Sequence, residues 1–323
     1  MSKGFYSGKR CTVTGASGLI GSYVVKVLKQ EGAIVRAICH KREANELTKL
    51  ADEVFWLDLH HPECALDAVD NTEVVFSCAG ITGGIGLTEI DAVSYVGPAT
   101  GMVINTLHAC VQKKVERFGY LSSTTVYAPS DRPVVEADSE LPAKLYDAYR
   151  GIGESKRFLE KLCTYYNEKT DLKTCSVRPS GAYGRFDNFD EKTSHVLPGM
   201  VNRALALEEG KFFEIWGDGQ DVRDLIHAED VARCLLIATS KVETSAYPVN
   251  AASGLSVTTF ELARKILILA GKGDSQIITN KNKPSALRSR LVNIDRALEL
   301  GFESMISLSA GIEDVINWRK GLL

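Results

Sequence analysis

The run Thr14-Gly15-Ala16-Ser17-Gly18-Leu19-Ile20-Gly21 narrows the possible folds more than any other stretch of this chain. It follows Arg10–Thr14, which reads as a strand, and leads into Leu19–Gln30, whose apolar spacing is helical. A tight turn out of a buried strand asks for Gly15. Close approach of a pyrophosphate to the backbone asks for Gly18, and close packing of helix on sheet asks for Gly21. The helix start supplies free N–H groups and a partial positive charge, so Ser17, Leu19 and Ile20 belong to the same anion-binding turn. A GxxGxxG run alone is weak, and a glycine-rich turn without a ligand is the alternative. Its place between a first strand and a first helix favours a dinucleotide site.

The runs that follow keep the same rhythm. Ile34–Cys39, Glu53–Leu57, Glu73–Cys78, Phe118–Ser122 and Lys173–Val177 are apolar without strict alternation, as central parallel strands are. Helical stretches lie near Ala99–Lys114 and Asp147–Asn167. The expected fold class is α/β: a Rossmann-type doubly wound parallel sheet with a smaller, mostly C-terminal substrate-binding lobe. After Arg178-Pro179 the pattern predicts a helix at His195–Leu207, a turn at Trp216–Gly219 and a helix at Leu225–Ser240. It then predicts a last sheet strand at Tyr247–Asn250 and helices at Val257–Ala270 and Gly311–Trp318. The dinucleotide-binding domain is expected over 1–178 plus about 224–252, and the second lobe over about 179–223 and 253–323.

Composition excludes several classes. A net charge of −3 over 323 residues gives no basic footprint for nucleic acid. No run approaches the ~20 apolar residues of a membrane span. The start, MSKGFYSGKR, lacks the apolar core of a secretory leader. Eight cysteines without a CxxC pair read as free, buried thiols of a reducing, cytoplasmic protein. His60 and His61 stand outside any metal-ligand spacing, so no metal is expected.

The end of the second strand, Cys39-His40-Lys41-Arg42, carries no acid for a ribose 2′-hydroxyl. Arg36, His40, Lys41 and Arg42 suit a 2′-phosphate, which favours NADP over NAD; a solvated basic turn is the alternative. Asp58-Leu59 is placed for the adenine, and Cys78-Ala79-Gly80 for the nicotinamide ribose.

These pieces, with Ser122–Tyr127, Arg178–Gly184 and Arg223–Ala232, resemble the extended short-chain dehydrogenase/reductase family that acts on nucleotide sugars. The resemblance spans essentially the whole chain. It is nearest the GDP-L-fucose synthase branch, through Gly83–Gly86, Asp187–Phe189, Ser194–Pro198, Ile215–Gly219 and Lys283-Pro284.

The resemblance implies a Ser, a Tyr and a Lys, the last two spaced YxxxK on one helix face. The tyrosine exchanges a proton with a sugar hydroxyl while hydride moves, and the lysine lowers its pKa and holds the ribose. Ser123 and Lys156 match, but Ile152 stands at the tyrosine position. Tyr149, seven residues before Lys156, is the nearest replacement. Otherwise Ser123, water, Lys156 or the substrate manages the proton, and Tyr149 is a surface residue. Thr124-Thr125 stands where dehydratases carry Asp-Glu, which disfavours dehydration. Thr125 takes the place of the branch's cysteine and His195 matches its histidine, so one epimerising acid/base group remains; a plain substrate hydrogen bond is the alternative for His195. Arg203, Trp216, Arg223 and Lys283 match substrate-contacting positions, with Asn188, Ser194 and Val196 facing the sugar.

The resemblance therefore implies an NAD(P)-dependent oxidoreductase or epimerase, acting at C4 of a GDP-sugar and forming a homodimer. A keto-sugar epimerase using His195 without net hydride transfer, and a catalytically silent nucleotide-sugar-binding protein, are the alternatives.

Overall fold

The continuous apolar runs pair side by side. In the computed structural model, which describes residues 4–80, 93–94, 96–190, 192–243, 248–282 and 287–322, six of them form β1 (Arg10–Thr14), β2 (Ile34–Cys39), β3 (Glu53–Trp56), β4 (Val74–Ser77), β5 (Arg117–Leu121) and β6 (Lys173–Pro179). Then come β7 (Gly181–Tyr183), β8 (Phe213–Trp216), β9 (Val222–His227), β10 (Pro248–Ala251), β11 (Ser256–Thr258), β12 (Ile277–Asn280) and β13 (Ser289–Arg290). A seven-stranded sheet has the order β10-β6-β5-β4-β1-β2-β3, with every pair parallel. The chain leaves β1 in one direction and returns past it to β4. The crevice at the carboxyl ends of β1 and β4 is therefore the switch point where ligands of such sheets bind.

Both faces of the sheet are covered, which is why its strands are apolar throughout. One face packs Val13, Val35, Phe76 and Val177 against the helices Leu19–Gln30 and Ala228–Lys241. The other packs Ile38, Val75, Phe118 and Tyr120 against Val96–Gln112 and Arg150–Lys169. A third cluster unites Met200, Phe213, Ile215, Leu262, Ile266, Ile312 and Val315 from the helices Val196–Leu205, Thr259–Leu269 and Leu308–Lys320 and from β8. Two small sheets flank it: β11-β9-β13 with β7 beside β9, and β12-β8.

Several expected boundaries move. Leu225–His227 is strand, because it pairs with Gly181–Tyr183; the helix starts at Ala228, with the His227 side chain accepting from the Glu229 N–H at 3.3 Å. Val257 pairs in β11, and Thr258 with Glu261 forms a capping box that starts the next helix at Thr259. The helix expected from Asp147 begins as a single 3₁₀ turn, Asp147–Tyr149, and becomes α-helical only at Arg150. Tyr247 lies outside the described residues. All eight cysteines are free, but Cys64, on a short surface helix, and Cys78, which lines the cavity described below, are only half-buried. No described helix is long and apolar enough to cross a membrane.

A buried clamp fixes the Arg150–Lys169 helix against the sheet. Arg178, almost fully buried in β6, donates to Glu160 through Nε at 2.9 Å and through Nη2. Its Nη1 donates to the Tyr127 hydroxyl at 2.7 Å and to the Glu136 carbonyl at 2.9 Å. Ser122 also donates to Glu160, while Tyr127 donates to Asn250 Oδ1 in β10 at 2.6 Å. A buried ion pair gives little net stability, but breaking one leaves an uncompensated charge, so it fixes position strongly.

Candidate active site

The glycine turn is built as its residue types demand. Gly15 has φ +65°, and a Cβ there would lie 2.7 Å from the Ala79 backbone. A Cβ at Gly21 would run into the Gly15 carbonyl oxygen, so this glycine lets the helix close over its own entry turn. Gly18 is the N-cap, without a side-chain cap, and leaves the first-turn N–H groups to a ligand. The Ala79 N–H donates to Thr14 Oγ1 at 3.2 Å, tying the Cys78–Gly80 turn to β1.

From this turn a single cavity of about 920 Å³ runs along the carboxyl edge of the sheet into the second lobe. That is the upper end of the range for ligand pockets. Its walls include Gly15, Ser17, Gly18, Leu19, Ile20 and Gly21 from the first turn. Cys39, His40, Lys41 and Arg42 line it after β2, and Leu59 after β3. Cys78, Ala79 and Gly80 follow β4. Lys41 and Arg42 are exposed, free to meet an anion. Burial pushes the Cys39 thiol up, opposed by the Ser17 hydroxyl, and pushes Cys78 up to about 12, so both thiols stay protonated. Asp58 is the exception. It does not line the cavity, and its carboxylate is engaged by His60 at 2.6 Å, which holds it below the usual carboxylate range.

In the middle of the cavity stand Ser123, Thr125, Tyr149, Ile152 and Lys156. Ser123 caps the turn Thr124–Val126, its Oγ accepting from the Thr125 N–H at 3.1 Å. Thr125 Oγ1 is buried without a hydrogen-bond partner, an orphan that a ligand hydroxyl would satisfy. Gly153 admits this turn, because a Cβ there would strike the Thr125 carbonyl. Lys156 Nζ donates to the Leu121 carbonyl at 2.8 Å and lies 4.8 Å from the centre of the Tyr120 ring. Loss of hydration lowers its pKa to about 8, although Glu160 and Cys78 pull it upward. Tyr149 is not part of the helical ladder. It is the N-cap residue, with φ −110° and ψ 4°, and reaches the cavity from the 3₁₀ turn.

The far end holds Asn188, Ser194, His195, Val196, Arg203, Trp216 and Arg223. His195 Nδ1 is 3.1 Å from Asp187 Oδ1, and the other Asp187 oxygen is buried without a partner. Asn188 is spent locally: its amide donates to Thr193 Oγ1 at 2.9 Å and its oxygen accepts from the Asp190 N–H at 3.0 Å. Arg203 donates to the Glu214 carbonyl at 2.7 Å and lies 5.9 Å from the Trp216 ring. Arg223 is largely buried, 3.4 Å from Asp221, and loss of hydration holds it below the usual arginine value. Lys283, Pro284 and the Gly83–Gly86 run lie outside the described residues.

One residue of this wall, Arg290, carries no sequence signal that singles it out, and a second, Asp187, carries none for its role. Arg290 pairs in register with Arg223 on the adjacent strand and both line the cavity, which brings two positive charges to one stretch of its wall. Asp187 was visible as part of a motif, but its role as the partner of His195 needed the fold. The orphaned Thr125 and Asp187 oxygens, the uncapped helix start and the paired arginines fit a long polar ligand set: a dinucleotide at one end and a nucleotide sugar at the other.

Comparison with known proteins agrees with this geometry. The model of the NAD dependent epimerase/dehydratase family matches residues 11–251. The chain is 27% identical over 304 residues to GDP-L-colitose synthase of Yersinia pseudotuberculosis, covering 93% of this chain and 94% of that one. It is 25% identical to GDP-L-fucose synthase of Escherichia coli, covering 97% of each. Among solved structures, a GDP-6-OMe-4-keto-L-xylo-heptose reductase from C. jejuni superposes with a TM-score of 0.84 at 19% identity, covering 98% of this chain and 99% of that one. The UDP-glucose 4-epimerase of Thermotoga maritima gives 0.83 at 21%, with 97% and 100% covered.

Proposed function

The chain belongs to the NAD dependent epimerase/dehydratase family, and from that premise we propose that it carries out redox chemistry at C4 of a GDP-sugar with NADP, or NAD, as cofactor. It is an enzyme of the extended short-chain dehydrogenase/reductase type. The observation that carries the reading is the single cavity joining the glycine turn, Lys156 and the Arg203–Trp216–Arg223 wall. Residues 1–178 with about 224–252 hold the dinucleotide, and the remainder holds the nucleotide sugar.

A bound nicotinamide supplies the hydride donor or acceptor. The first-turn N–H groups take the pyrophosphate, and Lys41 with Arg42 takes a 2′-phosphate. Lys156 holds the ribose and presents a proton-bearing amine of lowered pKa. Tyr149 gives or takes the proton of the sugar oxygen, with Ser123 positioning that oxygen. Arg203, Arg223 and Trp216 grip the diphosphate and base. The synthase names of the two relatives support the choice of GDP.

A second reading, epimerisation of a keto sugar without net hydride transfer, is favoured by the Asp187–His195 contact, in which the carboxylate orients the imidazole. One experiment separates the readings. NADPH is mixed with the protein and GDP-linked keto sugars, and the absorbance of the reduced nicotinamide is followed. Its decay supports redox chemistry. Solvent-proton exchange into the sugar with steady absorbance supports the His195 reading. Neither, with sugar-nucleotide binding retained, makes the protein a silent binder and sinks both.

We also infer a cytoplasmic homodimer. Eight free cysteines support the compartment. Phe158 and Tyr165 are exposed and Leu162 half-buried along one face of the Arg150–Lys169 helix, an apolar stripe suited to a second copy. A monomeric mass at micromolar concentration overturns the dimer.

A further inference from the structure

Tyr149 owes little of its position to its own backbone. It closes a single 3₁₀ turn, its N–H donating to the Tyr146 carbonyl at 2.9 Å, and the α-helix that starts after it has no side-chain cap. Gly151 and Gly153 follow, and glycine stiffens a helix start least of the ordinary residues. The φ of −110° and ψ of 4° at Tyr149 lie toward the sparsely allowed bridge between helical and extended backbone. The ring therefore depends on its side-chain contacts. Tyr146 lies 5.7 Å away between ring centres, but it starts the same turn and cannot fix the ring against the rest of the protein. Arg290 can, its guanidinium carbon lying over the ring at 4.6 Å from the centre.

Arg290 stands on a firmly held backbone. On one side of β13 the Val222 N–H of β9 donates to the Arg288 carbonyl at 2.8 Å. On the other the Val134 N–H donates to the Leu291 carbonyl at 3.1 Å, and the Val134 carbonyl accepts from the Asn293 N–H at 2.8 Å. Val292 and Val134 are buried together in a small apolar cluster. Among the described residues the Arg290 guanidinium makes no hydrogen bond or ion pair that competes with the ring. A cation is drawn to the face of a phenol, and the weakly hydrated guanidinium is well suited to the contact.

Resting on the reading of Tyr149 as the group that exchanges a proton with the sugar oxygen, we propose that Arg290 is its positioning residue: the guanidinium holds the ring against the small sheet, so that the hydroxyl meets the sugar in one orientation. Arg290 acts through Tyr149 and moves no proton itself. The tyrosine takes from β13 the placement that an uncapped helix start does not give it.

The test is a double-mutant cycle on the full chain, with NADPH oxidation followed on GDP-linked keto sugars. The rate compared is kcat at saturating sugar nucleotide, so that a weakened grip on the substrate appears in KM instead. Arg290→Gln should lower kcat between about tenfold and 10²-fold, the latter being the cost of a misplacement of about 1 Å. Arg290→Met, which keeps the length of the stem, should behave alike. Added to Tyr149→Phe, either change should cost less than about a further twofold, because residues that act as a unit are not additive. If Tyr149→Phe slows the enzyme and the Arg290 variants cost it the same factor as they cost the wild type, or if they cost the wild type only KM, the proposal is overturned and the reading of Tyr149 stands. If Tyr149→Phe keeps its rate, or the wild type turns over none of these sugars, that reading fails and this inference with it.

Discussion

The guanidinium carbon of Arg290 lies 4.6 Å from the centre of the Tyr149 ring. Because Arg290 is in register with Arg223 on the next strand, the ring of Tyr149, the N-cap of the helix that carries Lys156, is also held by the small sheet. A tyrosine set in this way does not need YxxxK spacing to face the same cavity as the lysine.

Tyr149→Phe should therefore lower kcat by ~10²–10⁴ while leaving nucleotide-sugar affinity nearly unchanged, as loss of a positioned acid/base group does. Ile152→Tyr should fold, because Ile152 faces the cavity and is only half-buried. Steady-state rates and calorimetric affinities of both variants check this. A Tyr149→Phe enzyme keeping more than about a third of its rate falls far short of that range and moves the proton to Ser123, His195 or a water.

Replacing Gly21 by Ala should cost about 1–3 kcal/mol, as overpacking does, since the added carbon meets the Gly15 carbonyl, which cannot move without opening the turn. Dinucleotide affinity should fall with it. Denaturant titration and cofactor titration of the same sample measure the two losses; a variant with normal stability and affinity contradicts the assigned role.

Replacing Lys41 and Arg42 together should weaken NADP far more than NAD, because both are exposed and a phosphate contact is what they add. Parallel titrations with the two cofactors decide it. Equal losses, or a wild-type preference for NAD, remove the 2′-phosphate from this turn.

Lys156 allows a prediction with a definite sign. Its pKa is about 8 in the folded chain, from an ordinary value of 10.5, so between these values the unfolded state binds more protons and stability rises with pH. Lys156→Met should therefore stabilise the ligand-free protein, by at most about 3 kcal/mol near neutral pH. The gain should shrink as pH rises through the folded value toward the unfolded one. Thermal unfolding across that range tests it, and a pH-independent difference would show that the ammonium is well solvated.

The sheet was legible because its strands are covered on both faces, so each apolar run of the sequence became a strand within a residue or two. Leu225–His227 was misread as helix because its burial comes from the partner strand Gly181–Tyr183, which local periodicity does not register. The cofactor turn was visible for the opposite reason, since its requirements are local. The contact of one Asp58 oxygen with His60 was not legible, because two residues apart on a loop they meet only once the loop is folded. Arg290 escaped notice because nothing local distinguishes it from a solvated arginine; only pairing with β9 brings it to the cavity.

Lys156 and Glu160 stand four residues apart on one helix face, and Glu160 is locked to Arg178 and through it to Glu136, Tyr127 and Asn250. The turn that carries Asn188, by contrast, is held by short-range bonds: its amide donates to Thr193 and its oxygen accepts from the Asp190 N–H. The two halves of the site are thus free to change at different rates. A change in that surface turn leaves untouched the bond by which Lys156 is held to the Leu121 carbonyl. A substitution at Asn250 would do the reverse, slowing turnover from a position that no inspection of the substrate pocket would suggest.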